Sequence, residues 1–280
     1  MPVDGIETMA PADNTGYTLQ LSEPERMRYR MMAALAREQE ADLWERAGIV
    51  AGARVADVGC GPGAVLVEIA KIVGKAGTAV GVEPGQVARD AAREELDSFG
   101  LQHVDVRAGN GEATGLEPGV WDCVMMRHVL THTGSAADRI VAHLATLLAP
   151  GGYLYLVDTD LDASRASPPD PDMIEQLERY ADFHRALGND ARLGSRLGSM
   201  MRAAGLEIVE AQGAYQVIPA SLLASGGPLV AAQDAMIDAG ILSTDEVEPW
   251  HAARQRFAAQ SDAELWMAGF HAIGRKPAID

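Results

Sequence analysis

The stretch VADVGCGPGAV, Val55 to Val65, constrains this chain more than any other. An apolar run that reads as a buried strand passes straight into three glycines at alternate positions and a proline, and then into an apolar segment at helical spacing. Backbone this bare, with free N–H groups at the start of a helix, is what a ligand needs to approach the main chain itself. A turn that only joined a strand to a helix would need fewer glycines. The motif therefore directs the chain toward layered α/β architecture, with a ligand beyond the end of its first strand.

The residues downstream repeat the rhythm. RVADV, TAVGVE, HVDVRAG, WDCVMMR and YLYLVD read as short buried strands. Between them AVLVEIAKIVG and GQVARDAAREELDSFG read as helices closed by Gly74 and Gly100, and SAADRIVAHLATLLAPGG as a helix stopped by Pro150. Strands alternating with helices imply right-handed crossovers and a parallel sheet covered on both faces. Ahead of this, Ser22 and Glu25 in capping-box spacing open one long helix that stops at Gly48, with Met27, Met31, Leu35, Leu43 and Ala47 on the side expected to pack. Residues 1–16 are polar and aperiodic and are expected to form a mobile leader, so residues 17–280 make a single domain. LDASRASPPDPD, from Leu161, reads as a Pro-rich loop. Helices at 173–187 and 193–204, a strand in LEIVEAQGAYQVI, helical pieces over 219–263 split near Gly240, and a last strand in ELWMAGFHAIGRK complete the chain.

Composition excludes several functions. A formal charge of −17 over 280 residues opposes binding to nucleic acid, where affinity comes from Lys and Arg. No segment is apolar enough to span a bilayer and none resembles a secretory signal, so a cytoplasmic protein without a membrane partner is expected. Cys60 and Cys123 are too few for a disulfide framework or a thiolate metal site, and read as buried filling.

Two cofactor classes fit the glycines. Gly59, Gly61 and Ala64 satisfy the dinucleotide fingerprint, and Glu83 follows at about the distance of its ribose-binding acid. Asp57, however, lies inside the strand two residues before the first glycine, where a carboxylate suits an ammonium group and opposes a pyrophosphate. The ordered set of motifs resembles the class I S-adenosylmethionine-dependent methyltransferases, in particular the small-molecule group similar to the quinone-biosynthesis C-methyltransferases. VADVGCGPG resembles the family's first motif and VGVEPG its second strand with terminal acid. AGNGEATGL stands where Gly-Asp-Ala-Glu is usual. WDCVMMRHVLTHT resembles the fourth-strand motif, and LATLLAPGGYLYLVD the entry to the fifth strand. The resemblance covers about residues 17–160 and the final strand.

The resemblance implies a Rossmann-like, doubly wound, seven-stranded α/β sheet in the order 3-2-1-4-5-7-6, its last strand antiparallel, with helical additions forming an acceptor lid. It also implies roles. Asp57 and the loop Gly59, Gly61 and Gly63 would hold the methionine end of S-adenosylmethionine. Glu83, followed by Pro84, would accept both ribose hydroxyls. Asn110, in place of the usual Asp, would accept from the adenine amine and Gly111 would offer its N–H. The carbonyl of Arg127 would meet the methionine ammonium, and Tyr17 would close over the donor.

Methyl transfer needs alignment, dehydration and, for an O–H or N–H acceptor, somewhere for the proton to go. His132 and His128, at the end of the fourth strand and the start of the next loop, are the candidates for the proton sink; ordering of that loop is the competing role for His132. His143 reads as packing, and His184 as either facing the acceptor or exposed. Asp158, Asp160 and Asp162 invite a metal, but alternate residues at a strand end share a side only locally, and no metal is expected. The acceptor elements are expected at 17–48, 161–204 and 219–263. Their Met27, Met31, Met32, Met173, Met200, Met201 and Met236, with Tyr29 and Phe183, would either fill a core or line an apolar cavity. The expected function is methyl transfer to a small, largely apolar organic acceptor. The alternatives are an NAD(P)-dependent oxidoreductase, which the absence of a Tyr-x-x-x-Lys pair disfavours, and an S-adenosylmethionine-binding protein that transfers no methyl group.

Overall fold

A computed structural model describes residues 23–223 and 227–278. The expected leader and Tyr17 lie outside them. The long first helix is two: α1 (Glu23–Gln39) and α2 (Ala41–Arg46), broken at Glu40. The break turns Glu40 inward, where its Oε2 accepts from Trp44 Nε1 at 3.1 Å, Arg127 Nη1 at 2.7 Å and the Tyr155 hydroxyl at 2.7 Å. The expected apolar stripe packs only in its α2 part, where Ala47 is buried and Leu43 rests against the core; its α1 part does not. Met27, Met31, Met32 and Leu35 are exposed, while Ala33 and Ala36 are buried. The small side of α1 faces the body because Arg26 and Arg30 hold that side down, pairing with Glu94 and Glu95.

From Arg54 the alternation follows the expectation: β1 (Arg54–Val58), α3 (Ala64–Val73), β2 (Thr78–Glu83), α4 (Gln86–Ser98), β3 (Asp105–Ala108), β4 (Trp121–Arg127), α5 (Ala137–Leu147) and β5 (Leu148–Ser167). After α6 (Pro171–Ala186) and α7 (Leu197–Ala203) come β6 (Glu207–Pro219), the short α8 (Pro228–Ala231) and α9 (Gln233–Asp238), α10 (Val247–Ala258) and β7 (Glu264–Arg275). The sheet order is β3-β2-β1-β4-β5-β7-β6, with β7 antiparallel to both neighbours, as the resemblance implied.

Period-two alternation divides the strands between two cores. Ala56, Val124, Met126, Leu154 and Leu156 face one layer, with α5 and α7; Val55, Cys123, Met125 and Tyr155 face the other, with α2, α3 and α4. Leu66 and Ile69 of α3 are fully buried, contributing about 1.5–3 kcal/mol each. Cys60 and Cys123 are buried and free.

One loop is a strand. The first half of LDASRASPPDPD continues β5, irregular between Asp160 and Arg165, then pairing Arg165–Ser167 with Trp266–Glu264 of β7. Pairing across the sheet supplies those backbone groups with partners, which overrides the local turn propensity. Asp170 then caps α6, its carboxylate accepting from Met173 N at 2.9 Å. The extended ends of β5 and β7 carry a third core, made with α6, α8, α9 and α10 around Met173, Phe183, Met236, Trp250 and Phe257. Met200 and Met201 belong instead to the α5/α7 layer. The methionines expected to cluster thus divide among two cores and an exposed helix face, most of them by packing. Among the described residues no helix is long and apolar enough to cross a membrane.

Candidate functional site

The strand order reverses between β1 and β4, and in open α/β sheets ligands sit outside the carboxyl ends of strands at such a reversal. The Gly-rich loop lies there. Gly59 N and Cys60 N both donate to Val82 O, at 2.7 and 3.2 Å, which fixes the loop against the end of β2. Gly59 has φ +79, and a Cβ on it would stand 2.5 Å from Val129. Gly61, at φ +52, differs: a Cβ there would meet nothing within 4 Å. The first glycine is needed for packing, and the second leaves open space beside its α-carbon.

Asp57, the last residue but one of β1, has 3% of its surface exposed, and its Oδ2 is buried with no hydrogen-bond partner. Burial pushes its carboxyl up to about 7; Arg127 pulls the other way and Glu83 adds to the rise. A buried carboxylate oxygen lacking a donor is a receptor for a cation. Glu83 is held by its own surroundings: Oε2 accepts from Gly61 N at 3.1 Å and Oε1 from Gly85 N at 2.9 Å. Arg89 of α4 pins the turn behind it, its Nη1 donating to the carbonyls of Glu83 and Pro84.

The neighbouring loop begins after β3. Asn110 Oδ1 accepts from the backbone N–H groups of Glu112 and Ala113, both at 2.9 Å. Its carbonyl oxygen is therefore engaged in its own turn, and the carboxamide NH2 is what it offers outward. Gly111 packs so closely on α5 that a Cβ would stand 2.8 Å from Ile140.

At the end of β4 the Arg127 side chain is committed to Glu40, and both partners are nearly buried. Arg127 thus acts on the site through its charge and its main chain. His128 follows with φ +53, a left-handed conformation costly for a side-chain-bearing residue, and its N–H donates to Val157 O at 2.8 Å. His132 closes the single 3-10 turn Leu130–His132. Asp158 holds this turn: its carboxylate accepts from Thr131 N at 3.0 Å, Thr131 Oγ1 at 2.5 Å and Thr159 N at 2.9 Å. Asp160 accepts from Ala163 N, and Asp162 pairs with Arg185 and Arg192. The three aspartates, which lie within β5 rather than at its end, serve three separate structural purposes.

His132 lies 5.0 Å, ring to ring, from His184 of α6, which meets Tyr180 edge-on at 4.7 Å. His184 is buried rather than exposed. Burial lowers all three imidazoles: His128 to about 3, helped by Arg127, His184 to about 4, helped by His132, and His132 below its ordinary value. They are neutral at physiological pH and can each accept a proton, though as weak bases. His143 of α5 faces Thr114 Oγ1 at 3.0 Å, in line with packing.

The structure brings Asp57, Gly59, Gly61, Gly63, Glu83, Arg127 and His128 to one edge, with the Asn110–Gly111 loop beside Glu83 through the β2–β3 pairing. Sequence reasoning passed over Glu40, Tyr155 and Thr131. Glu40 is one acid among several in a helix-forming stretch, and nothing local marks it as the partner of Arg127, 87 positions away.

Residues 25–211 match the model of a family described as a methyltransferase domain. Ubiquinone biosynthesis O-methyltransferase of Burkholderia thailandensis is 32% identical over 171 residues, covering 58% of this chain and 68% of that enzyme. Nocamycin O-methyltransferase of Saccharothrix syringae is 36% identical over 110 residues, covering 38% of this chain and 37% of its own length. Among solved structures, that of the [4+2]-cyclase SpnF is similar in fold, with a TM-score of 0.56 at 21% identity over 89% of this chain and 82% of that one.

Proposed function

This chain belongs to the methyltransferase-domain family and takes S-adenosylmethionine as its cofactor, and from that premise we propose that it methylates a small, largely apolar organic molecule of secondary metabolism. The donor would lie at the carboxyl edge of β1, β2 and β4, and the acceptor under the lobe formed by α6 and α8–α10. The proposal includes a cytoplasmic reaction with neither nucleic acid nor membrane as partner; the charge of −17 speaks against nucleic acid.

The observation that carries the donor half is Asp57. Its orphaned, buried Oδ2 suits the methionine ammonium, which would supply the missing donor and favour the ionised carboxylate. Glu83, oriented by Gly61 N and Gly85 N, keeps lone pairs on both oxygens for a ribose diol. A pyrophosphate brought to the same loop would face the Asp57 carboxylate, which disfavours a nicotinamide dinucleotide. Gly61 leaves room for the methionine end, and the carbonyl of Arg127 would add an acceptor for its ammonium. Asn110 would approach adenine through its amide nitrogen, and Gly111 through its N–H. When bound, S-adenosylmethionine supplies an electrophilic methyl group on a sulfonium sulfur.

The residues around it have to exclude water and, where the acceptor carries an O–H or N–H, take its proton. His132 fits that role: it is neutral, held in place through Thr131 and Asp158, and continuous with the lobe through His184. His128, with its strained backbone and its pKa near 3, fits positioning of the strand end better than proton transfer.

Calorimetry with S-adenosylmethionine, S-adenosylhomocysteine, NAD and NADP tests the donor half. Binding of the first two alone is expected, and tight dinucleotide binding without response to the methyl donor would overturn it. Incubation with methyl-labelled donor and an organic extract, read by mass spectrometry, tests the acceptor half. Label found only in macromolecules, or in no product, would reject it.

A further inference from the structure

α10 buries Trp250, Ala253 and Phe257 at helical spacing, the two aromatic rings in the third core, and that spacing carries Arg254 inward with them. Arg254 is 2% exposed. Its Nη1 donates to Gln176 Oε1 at 3.0 Å, and Gln176, itself fully buried, donates to the Trp250 carbonyl at 3.2 Å. One corner of the guanidinium is thereby fixed. Its Nε and Nη2 are buried and meet no acceptor. These two N–H groups share the side-on edge of the guanidinium, the edge that receives both oxygens of a carboxylate at once. Burial lowers its pKa, and no carboxylate among the described residues offsets that.

Arg254 stands in the wall of a cavity of about 30 Å³ whose other lining includes Leu161, Ser164, Leu177, Leu265 and Met267. The room is close to that of a single water or a carboxylate head, so a longer ligand requires α8 and α10 to part from the ends of β5 and β7. Tyr180 forms part of the same wall and leads through His184 to His132. An apolar chamber with one cation, presenting an unused planar edge, is complementary to an apolar acid.

We propose that this cavity is a binding site for the carboxylate of an apolar organic acid, gripped side-on by Nε and Nη2 of Arg254. Resting on the methyl-transfer reading above, the carboxylate is the handle by which the acceptor is held, and the ring ladder joins that handle to the loop of His132.

Titration calorimetry of the full chain with benzoate, 3-phenylpropanoate and octanoate, each beside its primary amide and with and without S-adenosylhomocysteine, tests this. At least one acid should bind, and its amide should bind at least about tenfold more weakly. Arg254→Met should abolish acid binding while leaving affinity for S-adenosylhomocysteine and the unfolding temperature in place or higher, because an uncompensated buried charge is removed. Arg254→Lys keeps the charge but not the planar fork, and should weaken the acid about tenfold. Should Arg254→Met fail to fold, the Lys variant and the acid-to-amide ratio in the native protein decide. The proposal is overturned if no acid binds the native chain, if acid and amide bind equally, or if the Arg254 variants bind the acid unchanged. Arg254-dependent acid binding in a chain that ignores S-adenosylhomocysteine would support the site and reject the donor reading.

Discussion

Asp57→Asn separates the stability of the fold from its function. In the folded chain the carboxyl is raised from its ordinary 3.8 to about 7. At about 1.36 kcal/mol per tenfold in acidity, this corresponds to roughly 4 kcal/mol of destabilisation once the group is ionised in both states. The sign follows from proton uptake. Below about pH 4 the acid is protonated in folded and unfolded chains alike, and it costs nothing through ionisation. Between about pH 4 and 7 the unfolded chain has released its proton while the folded one keeps it, so stability falls as pH rises; above about 7 the loss is complete. Asparagine does not titrate, but its own buried amide costs about 1–3 kcal/mol if a hydrogen bond is missing. The variant should therefore be more stable than the native protein at pH 8 by about 1–3 kcal/mol, and the difference between the two should grow by about 4 kcal/mol from pH 4 to pH 8. Donor affinity should move in the opposite direction, falling by about 2–5 kcal/mol as the ammonium loses its charged partner. Urea unfolding of both proteins from pH 4 to 8.5, with calorimetry of S-adenosylmethionine at pH 8, measures both quantities. A stability difference that stays flat across that range, or undiminished donor binding in the variant, would refute the reasoning.

Further predictions concern the same edge. Glu83→Ala should weaken S-adenosylmethionine by about 2–4 kcal/mol through two lost charge-assisted hydrogen bonds. It should also lower the unfolding temperature slightly, because Gly61 N and Gly85 N lose their acceptor; an unchanged dissociation constant would remove Glu83 from the ribose site. His132→Ala should reduce turnover by about 10²–10⁴ for an O–H or N–H acceptor, with donor affinity kept, whereas His128→Ala should act mainly on stability. Since burial lowers His132 below its ordinary 6.5, the native rate should rise with pH to a plateau with its midpoint below about 6.5, and a midpoint above that would reject it as the base. Glu40→Ala should destabilise the fold by about 3–5 kcal/mol, as it leaves the nearly buried Arg127 without a counter-charge; chemical unfolding reads this, and a loss below about 1 kcal/mol would show that water replaces the pair.

The sequence by itself determined the α/β class, every strand from Arg54 to Val157 and the place of the Gly-rich loop. These features are local in origin: period-two and helical spacing declare strand and helix, and glycines at Gly59, Gly61 and Gly63 declare a main chain that something must approach. Asp57 and Glu83 were legible for the same reason, as carboxylates at strand ends beside that loop. The tertiary structure alone decided what those carboxylates meet. No local pattern shows that Asp57 Oδ2 is orphaned, that Glu40 gathers Trp44, Arg127 and Tyr155, or that Asp158 secures Thr131. Periodicity identified the apolar stripe of α1 but not its direction, which the pairs of Arg26 and Arg30 set against it. The second half of β5 was invisible because its residues favour turns and become a strand only when β7, some hundred residues later, supplies the hydrogen bonds. Arg254 lies between these cases. Its position in the stripe Trp250–Ala253–Phe257 was readable as a charge on an apolar face, but whether that charge was neutralised, exposed or left waiting depended on which groups the folded lobe placed around it.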